Sequence, residues 1–424
     1  MEANSAIKRT NKWVVLTVLG LAWFVGYFDR VAMNIAAIPM SKEFALNPTQ
    51  MGAILGSYSV GTLVVCMFGG MLADKYGSKK VLLFAMILWS VFTGFTAVAS
   101  SFAILLVIRS IFGAAEGLFP PASSVAIAED FPKSAYGRAK SFLLASGGLG
   151  QALGAIVVAF IVVEVGWRGP FYIFAVLGLL IAALLAILNR RDRLYHAKLR
   201  KSQQGTDKAK KTKVPIKVVF KNAVVWKVLF IQFALGFFSW GLTSWFPQYW
   251  VNEKGLSLKT MGSLLTIPSF VAFLAVLATG WVVDKYFVGR EKHLLFGSIA
   301  FTAVSIFLMY GASSVTMGFV YQTIATVGSA FVGTTNYAIV LKYVRKEHVG
   351  TATGLNVFGS SAAGIIAPIL MGYSITLLEG SYAAVFGMIV AILVCAAVVA
   401  ATIKTNKQDA ENEIGEGGVA AHVS

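Results

Sequence analysis

Four ionisable residues, Asp29, Arg30, Arg109 and Glu116, stand inside long apolar stretches of this 424-residue chain. A charge at the centre of a membrane costs about 2.5 to 3.5 kcal/mol or more, so residues kept there mark a function by default. Two acids and two bases are neutral together. Protonating either acid leaves an uncompensated positive charge, which the carboxylate of a ligand neutralises. Proton and anion should therefore bind together, because a singly loaded site is penalised. None of the histidines serves this purpose: His196, His293, His348 and His422 all fall at helix ends, in loops or in the tail.

The elements that must position these four residues are membrane spans. The chain is 57% hydrophobic and 13% charged, where a soluble protein carries about 25% charged residues. Twelve apolar runs, near 13–38, 51–73, 80–99, 102–128, 139–163, 170–188, 226–250, 261–283, 293–312, 315–341, 350–376 and 382–403, each suffice to cross a bilayer, which takes about 20 helical residues. The alternating segments of about ten residues that mark a transmembrane barrel are missing. Cys66 and Cys395 both fall inside spans, outside any metal-ligand spacing, and read as small buried side chains. The first run follows Lys8, Arg9 and Lys12, lacks a small-residue cleavage site and reads as a retained span.

A net charge of +17 suggests nucleic acid until its placement is examined. Of 36 Lys and Arg, 30 lie on the side of the N-terminus, four (Lys42, Arg168, Lys254 and Lys259) on the other, and two within spans. This is the positive-inside pattern, so both termini are expected in the cytoplasm, with the bilayer rather than nucleic acid as partner. The glycine-rich run Gly147–Gly154 lies inside a span with no strand before it and reads as close helix packing rather than a nucleotide loop.

Depth along the helices relates the four charges to one another. Asp29 and Arg109 both lie roughly 10 to 14 Å below the outer surface, at about 1.5 Å per residue, so they can meet if the first and fourth spans are neighbours. Glu116 follows Arg109 by about two turns on the same face, about 10 Å closer to the cytoplasm. Asp29 and Arg30 differ by about 100° around their helix, so one can face the fourth span while the other faces a cavity.

The chain also repeats itself. Met51-Gly52 recurs as Met261-Gly262, and Gly70-Met-Leu-Ala-Asp74-Lys75-Tyr76 recurs as Gly280-Trp-Val-Val-Asp284-Lys285-Tyr286, both at an offset of 210. Parallel six-span repeats place a substrate site at the midplane between the halves. The expected organisation is an N-terminal six-helix bundle over 1–188, a basic cytoplasmic linker over 189–225, a C-terminal bundle over 226–404, and a cytoplasmic tail over 405–424.

The segment from Gly70 to Lys80, G-M-L-A-D-K-Y-G-S-K-K, resembles the cytoplasmic loop signature of the major facilitator superfamily. There Gly70 permits close packing, Asp74 meets the N-terminus of a neighbouring helix, and Lys75, Gly77, Lys79 and Lys80 complete a gating loop that locks the halves when the cavity opens outward. Phe28-Asp29-Arg30, with Arg109-x3-Gly113-x2-Glu116-Gly117-x-Phe119-Pro120, is similar to the anion:cation symporter family within it, whose bacterial members include proton-coupled carriers of galactonate, glucarate and hexuronates. The resemblance covers the membrane region. It implies an all-α fold of two six-helix bundles related by a pseudo-two-fold axis, with Arg30 binding the substrate carboxylate. Asp29 and Glu116 are then the protonatable pair, and Arg109 is their charge partner.

Polar groups from both halves should read the rest of the substrate, since buried hydroxyls need partners. Tyr27, Tyr58, Gln151, Ser239, Trp240 and Asn356 are the leading candidates, with Ser244, Gln248, Asn336, Ser360 and Ser361 behind them. The expectation is a monomeric, proton-coupled importer of a sugar acid, multi-pass in a bacterial inner membrane, without metal or organic cofactor. A carrier of an aromatic acid or dicarboxylate, a uniporter for neutral sugars, and an anion sensor that transports nothing are the alternatives. A membrane enzyme lacks a nucleophile–base set, and the sequence shows no Walker-type loop for ATP.

Overall fold

The computed structural model describes residues 11–132, 135–200, 223–287, 289–343 and 349–403. Every regular element among them is helical, as a hydrocarbon environment requires when each backbone N–H must be satisfied within its own segment. In chain order these are α1 (Lys12–Glu43), α2 (Pro48–Tyr76), α3 (Ser78–Val98), α4 (Phe102–Gly117), α5 (Phe119–Asp130), α6 (Tyr136–Val165) and α7 (Arg168–Arg200). The second half follows with α8 (Ala223–Gln248), α9 (Leu258–Tyr286), α10 (Glu291–Tyr310), α11 (Val315–Tyr343), α12 (Val349–Leu377) and α13 (Ala383–Ala401). Eleven stretches are long and apolar enough to cross a membrane, with α4 and α5 counted together, and α2 taken as one span brings the number to twelve.

Each expected span is found, with its ends shifted by a few residues, and three local differences have physical causes. The fourth span breaks between Gly117 and Phe119, because Pro120 and Pro121 cannot donate to the carbonyls one turn earlier. The seventh runs from α8 into a π-helical turn over Tyr249–Glu253 just past Pro247. The sixth continues as α7 to Arg200, so the first part of the expected linker is helix. Of the remainder, 223–225 open α8, while 201–222 and the tail after 403 lie outside the described residues.

The two halves match down to their caps. Asn47 caps α2 and Ser257 caps α9, each with its side chain accepting from the backbone three residues on, 210 positions apart. The second span of each half packs on the fifth span of the other, α2 on α12 and α9 on α6, as a two-fold axis requires. Near the end bearing Lys12, Lys79 and Lys342, here the basic end, the halves carry matching ion pairs of exchanged sign. Lys79 of α3 meets Asp130 at 3.1 Å, and Glu291 of α10 meets Lys342 of α11.

The repeated Met-Gly pair lies at the seams between halves. A methyl group on Gly52 would strike the Pro368 carbonyl of α12, and one on Gly262 would strike Ala159 of α6. Both methionines are fully buried beside them. Thr49 Oγ1 and Thr376 Oγ1 meet at 2.9 Å, and Lys259 reaches Glu164 at 2.6 Å. All of these contacts lie far from the basic end.

The apolar core divides along the same line. One cluster joins the far ends of the first six spans (Val31, Met40, Met51, Ala159, Phe171) to the second half. A separate cluster is formed by the basic-end portions of the first half (Leu16, Leu82, Phe119, Leu143, Leu185). The halves are thus welded at the far end and have separate interiors toward the basic end. Cys395 corrects an expectation: it is exposed on α13 beside Val394 and Val398, on a surface suited to lipid, rather than buried.

Candidate functional site

The fourth span approaches the second through glycines and the first through charges. In Arg109-x3-Gly113-x2-Glu116-Gly117, a side chain at Gly113 would run into the Tyr58 carbonyl, and a Cβ on Gly117 would lie 3.0 Å from Thr62 Cα. The helix is therefore seated on α2 along its glycine stripe, while Arg109 and Glu116 turn toward α1. In the same way Gly147, Gly150 and Gly154 seat α6 on Trp23, Phe24 and Val31 of α1, which is the packing expected of that run.

On α1, Asp29 and Arg30 point to different neighbours. Asp29 Oδ1 accepts from Arg109 Nη1 at 2.8 Å, and each side chain is 3% exposed. Arg30 leans back along α1 toward its N-terminus, the usual inclination of helical side chains. Its Nε donates to Glu116 Oε1 at 2.9 Å, and its Nη2 lies 2.8 Å from the same oxygen. Glu116 is sealed, whereas Arg30 retains 19% exposure. Arg109 therefore serves Asp29, and Arg30 holds Glu116, in place of a single Arg109 partnering both acids.

The guanidinium of Arg30 also lies inside an aromatic cage, with its carbon 4.5 Å from the Tyr27 ring, 5.1 Å from Tyr58 and 5.2 Å from Trp23. Such contacts hold a cation in place without neutralising it. Tyr58 in turn packs on Trp240 of α8 at 5.7 Å, so the cage touches the other half. Asp29 Oδ2 and Glu116 Oε2 are buried with no hydrogen-bond partner among the described residues. Each acid thus has one oxygen bound to a cation and one unengaged, where a proton can be added without breaking a hydrogen bond.

The remaining expected residues separate into two groups. Gln151 lines a cleft between the halves together with Asn34, Thr243, Ser269, Gln322 and Thr326. These five were not anticipated from the sequence. Asn34 carried a signal, one helical turn beyond Arg30 on the same face; the others carried none that sets them apart from the remaining polar residues of apolar helices. Ser239 is exposed on α8. Asn356 is buried, with its Nδ2 lacking a partner among the described residues. Asn336 donates to the Val228 carbonyl and Gln232, and Gln248 to the Ser244 carbonyl. Asn336 thus ties α11 to α8, whereas the Gln248 bond stays within α8.

The expected gating loop is helical as far as Tyr76, with Gly77 the one residue between α2 and α3, and its packing differs from expectation too. The tight approach belongs to Gly69, where a Cβ would lie 2.6 Å from Pro121 Cγ, while Gly70 has no neighbour closer than 3.9 Å. Gly77 closes α2 at a φ of +93°, in a region that favours glycine, and its N–H bonds the Ala73 carbonyl. Asp74 and Lys75 are exposed.

A family profile described as Major Facilitator Superfamily matches residues 19–288 and 255–423. The hexuronate transporter of Bacillus subtilis (strain 168) is 30% identical, over 86% of this chain and 88% of its own. The probable galactarate/D-glucarate transporter GudP of Escherichia coli (strain K12) is 27% identical, over 88% and 89%. Among solved structures, a bacterial homolog of the human lysosomal transporter Spinster superposes with a TM-score of 0.73 over 96% of this chain and 98% of its own, at 16% identity. That likeness speaks for the fold.

Proposed function

The chain belongs to the Major Facilitator Superfamily, a transporter rather than an enzyme, and from that premise we propose that it imports a sugar acid together with protons. The observation that carries the proposal is the Arg30–Glu116 pair: the one partly exposed arginine of the cluster is held by a fully buried acid. A substrate carboxylate and Glu116 compete for the same guanidinium. With Glu116 ionised, Arg30 is satisfied and a second carboxylate gains little. With Glu116 protonated, Arg30 is left as a desolvated cation, which a carboxylate neutralises through a bidentate contact.

Asp29 and Arg109 form the deeper pair. Protonation of Asp29 frees Arg109, and the resulting positive charge draws Glu116 or the bound anion toward the fourth span. The four-residue cluster stays neutral when empty and deprotonated, and also when one proton and one monoanion are bound. The carrier can cross between its two open forms only in those neutral states, which couples the two fluxes.

The basic end is the cytoplasmic one by its Lys and Arg excess, so both termini face the cytoplasm of a bacterial inner membrane. The far-end seams then close the outer side, and the site opens inward. Residues 1–188 and 226–404 rock as two bundles about Arg30, with the last turns of α2 from Gly69 and the joint at Gly77 closing the inner side in the opposite state. Support for a sugar acid comes from the two relatives named for hexuronate and for galactarate/D-glucarate transport, together with the uncharged polar cleft beside Arg30.

The test is uptake of labelled galacturonate or glucuronate into proteoliposomes holding the full chain, with an acid exterior. Accumulation that collapses with a protonophore supports the proposal. Equal uptake with and without the pH gradient removes proton coupling, and no uptake of any sugar acid removes the substrate class.

A further inference from the structure

The cleft between the halves has a composition that bears on which sugar acid fits. Its polar lining is Asn34, Gln151, Thr243, Ser269, Gln322 and Thr326, and among the described residues no charged side chain borders it. The cleft is open on one side, and the space within it is about 60 Å³, room on the order of four waters. That admits one end of a hexose-derived chain and leaves the carboxylate outside, at Arg30. Asn34 lies one turn beyond Arg30 on α1, a rise of about 6 Å, while the Arg30 side chain leans the opposite way toward Glu116. The anchor and the cleft thus lie on opposite sides of the Arg30 backbone position along α1.

Two further observations fix what the cleft can accept. The Gln322 carbonyl already accepts from Trp250 Nε1 at 3.0 Å, so this residue offers its amide N–H groups to the opening. Arg109 does not line the cleft, and with Asp29 ionised its charge is already paired there. Amides and hydroxyls satisfy sugar hydroxyls in both donor and acceptor roles. A carboxylate in the same place would be a buried charge with no counter-ion, and leaving one unpaired is strongly unfavourable.

We infer that this carrier selects monoanionic sugar acids, whose far end is a hydroxymethyl or aldehyde-derived hydroxyl, and rejects the diacids that bear a carboxylate at both ends. The selection is made by the uncharged cleft of Asn34, Gln151, Thr243, Ser269, Gln322 and Thr326, which reads the end of the substrate remote from Arg30. This inference rests on the proposed role of Arg30 as the carboxylate anchor.

The experiment is competition in proteoliposome counterflow, with labelled galacturonate displaced by unlabelled galacturonate, galactonate or galactarate, and the gluco series run in parallel. Galactonate and galactarate, like gluconate and glucarate, are open chains that differ only at C6, while the uronates close to a pyranose ring and carry their carboxylate at C6. The monoacids are expected to compete at least about tenfold better than the diacid, as sites with buried polar groups discriminate strongly against an unmatched one. A diacid that competes as well as the monoacids overturns the inference while leaving Arg30 as anchor. Failure of every sugar acid to bind overturns both readings. A second arm places a cation in the cleft, Thr326→Lys, in a variant whose thermal unfolding matches the wild type. Its preference should move toward the diacid, and an unchanged ratio shows that the cleft does not face the far end of the substrate.

Discussion

Arginine geometry matters at Arg30 more than charge alone. The Nε and Nη2 atoms share one oxygen of Glu116, and the planar group sits among three rings. Lysine keeps the charge but loses both the fork and the stacking. Arg30→Lys should weaken sugar-acid binding by roughly ten- to a hundredfold while leaving the fold intact, as a bidentate contact is worth about 1.5 to 3 kcal/mol. Isothermal titration checks this, and an unchanged dissociation constant moves the anchor elsewhere. At the buried pair the sign differs. Arg109→Gln strands Asp29 in a sealed site and should destabilise the protein by about 3 to 5 kcal/mol if the acid remains charged. Adding Asp29→Asn should restore most of the loss in a thermal-unfolding assay, because two neutral amides replace two opposed charges.

The helices show where sequence reasoning reached and where it stopped. Spans were legible because a bilayer sets a length that apolar runs must meet, and depth showed that Asp29 and Arg109 could meet on condition that the first and fourth spans were neighbours. The break at Leu118 was hidden inside an unbroken apolar run, although Pro120 and Pro121 are its cause. The assignment of Glu116 to Arg30 was not legible, since helical azimuth describes Cβ positions and an arginine reaches a full turn beyond its own. Polar residues such as Asn336 and Asn356 could not be sorted into ligand contacts and helix contacts, because both uses place an amide in an apolar helix. The glycine stripe on α4 carries its own test. Gly113→Val would drive a branched side chain into the Tyr58 carbonyl, pushing α4 from α2 and dismantling the cage around Arg30. Folded yield and sugar-acid affinity should fall together; wild-type binding in this variant would show that the stripe does not position the cage.

At the scale of the whole molecule, the far-end seams define one of the two states a carrier must visit. Thr49 and Thr376 touch across the α2–α12 seam, so in a background with Cys66 and Cys395 replaced by serine, Thr49→Cys with Thr376→Cys should crosslink under mild oxidation. Transport should stop on oxidation and return with reductant, since the seam must open for substrate to enter from outside. Continued uptake by the crosslinked protein would mean that this seam does not part during transport.

All of these scales meet at the competition between Glu116 and the substrate for Arg30, which Glu116→Gln addresses directly in proteoliposomes. A glutamine resembles a permanently protonated acid, so the variant should still exchange labelled for unlabelled sugar acid across the membrane. Its uptake should no longer reach gradient-driven accumulation. Gradient-driven accumulation at the wild-type level by Glu116→Gln would contradict the account.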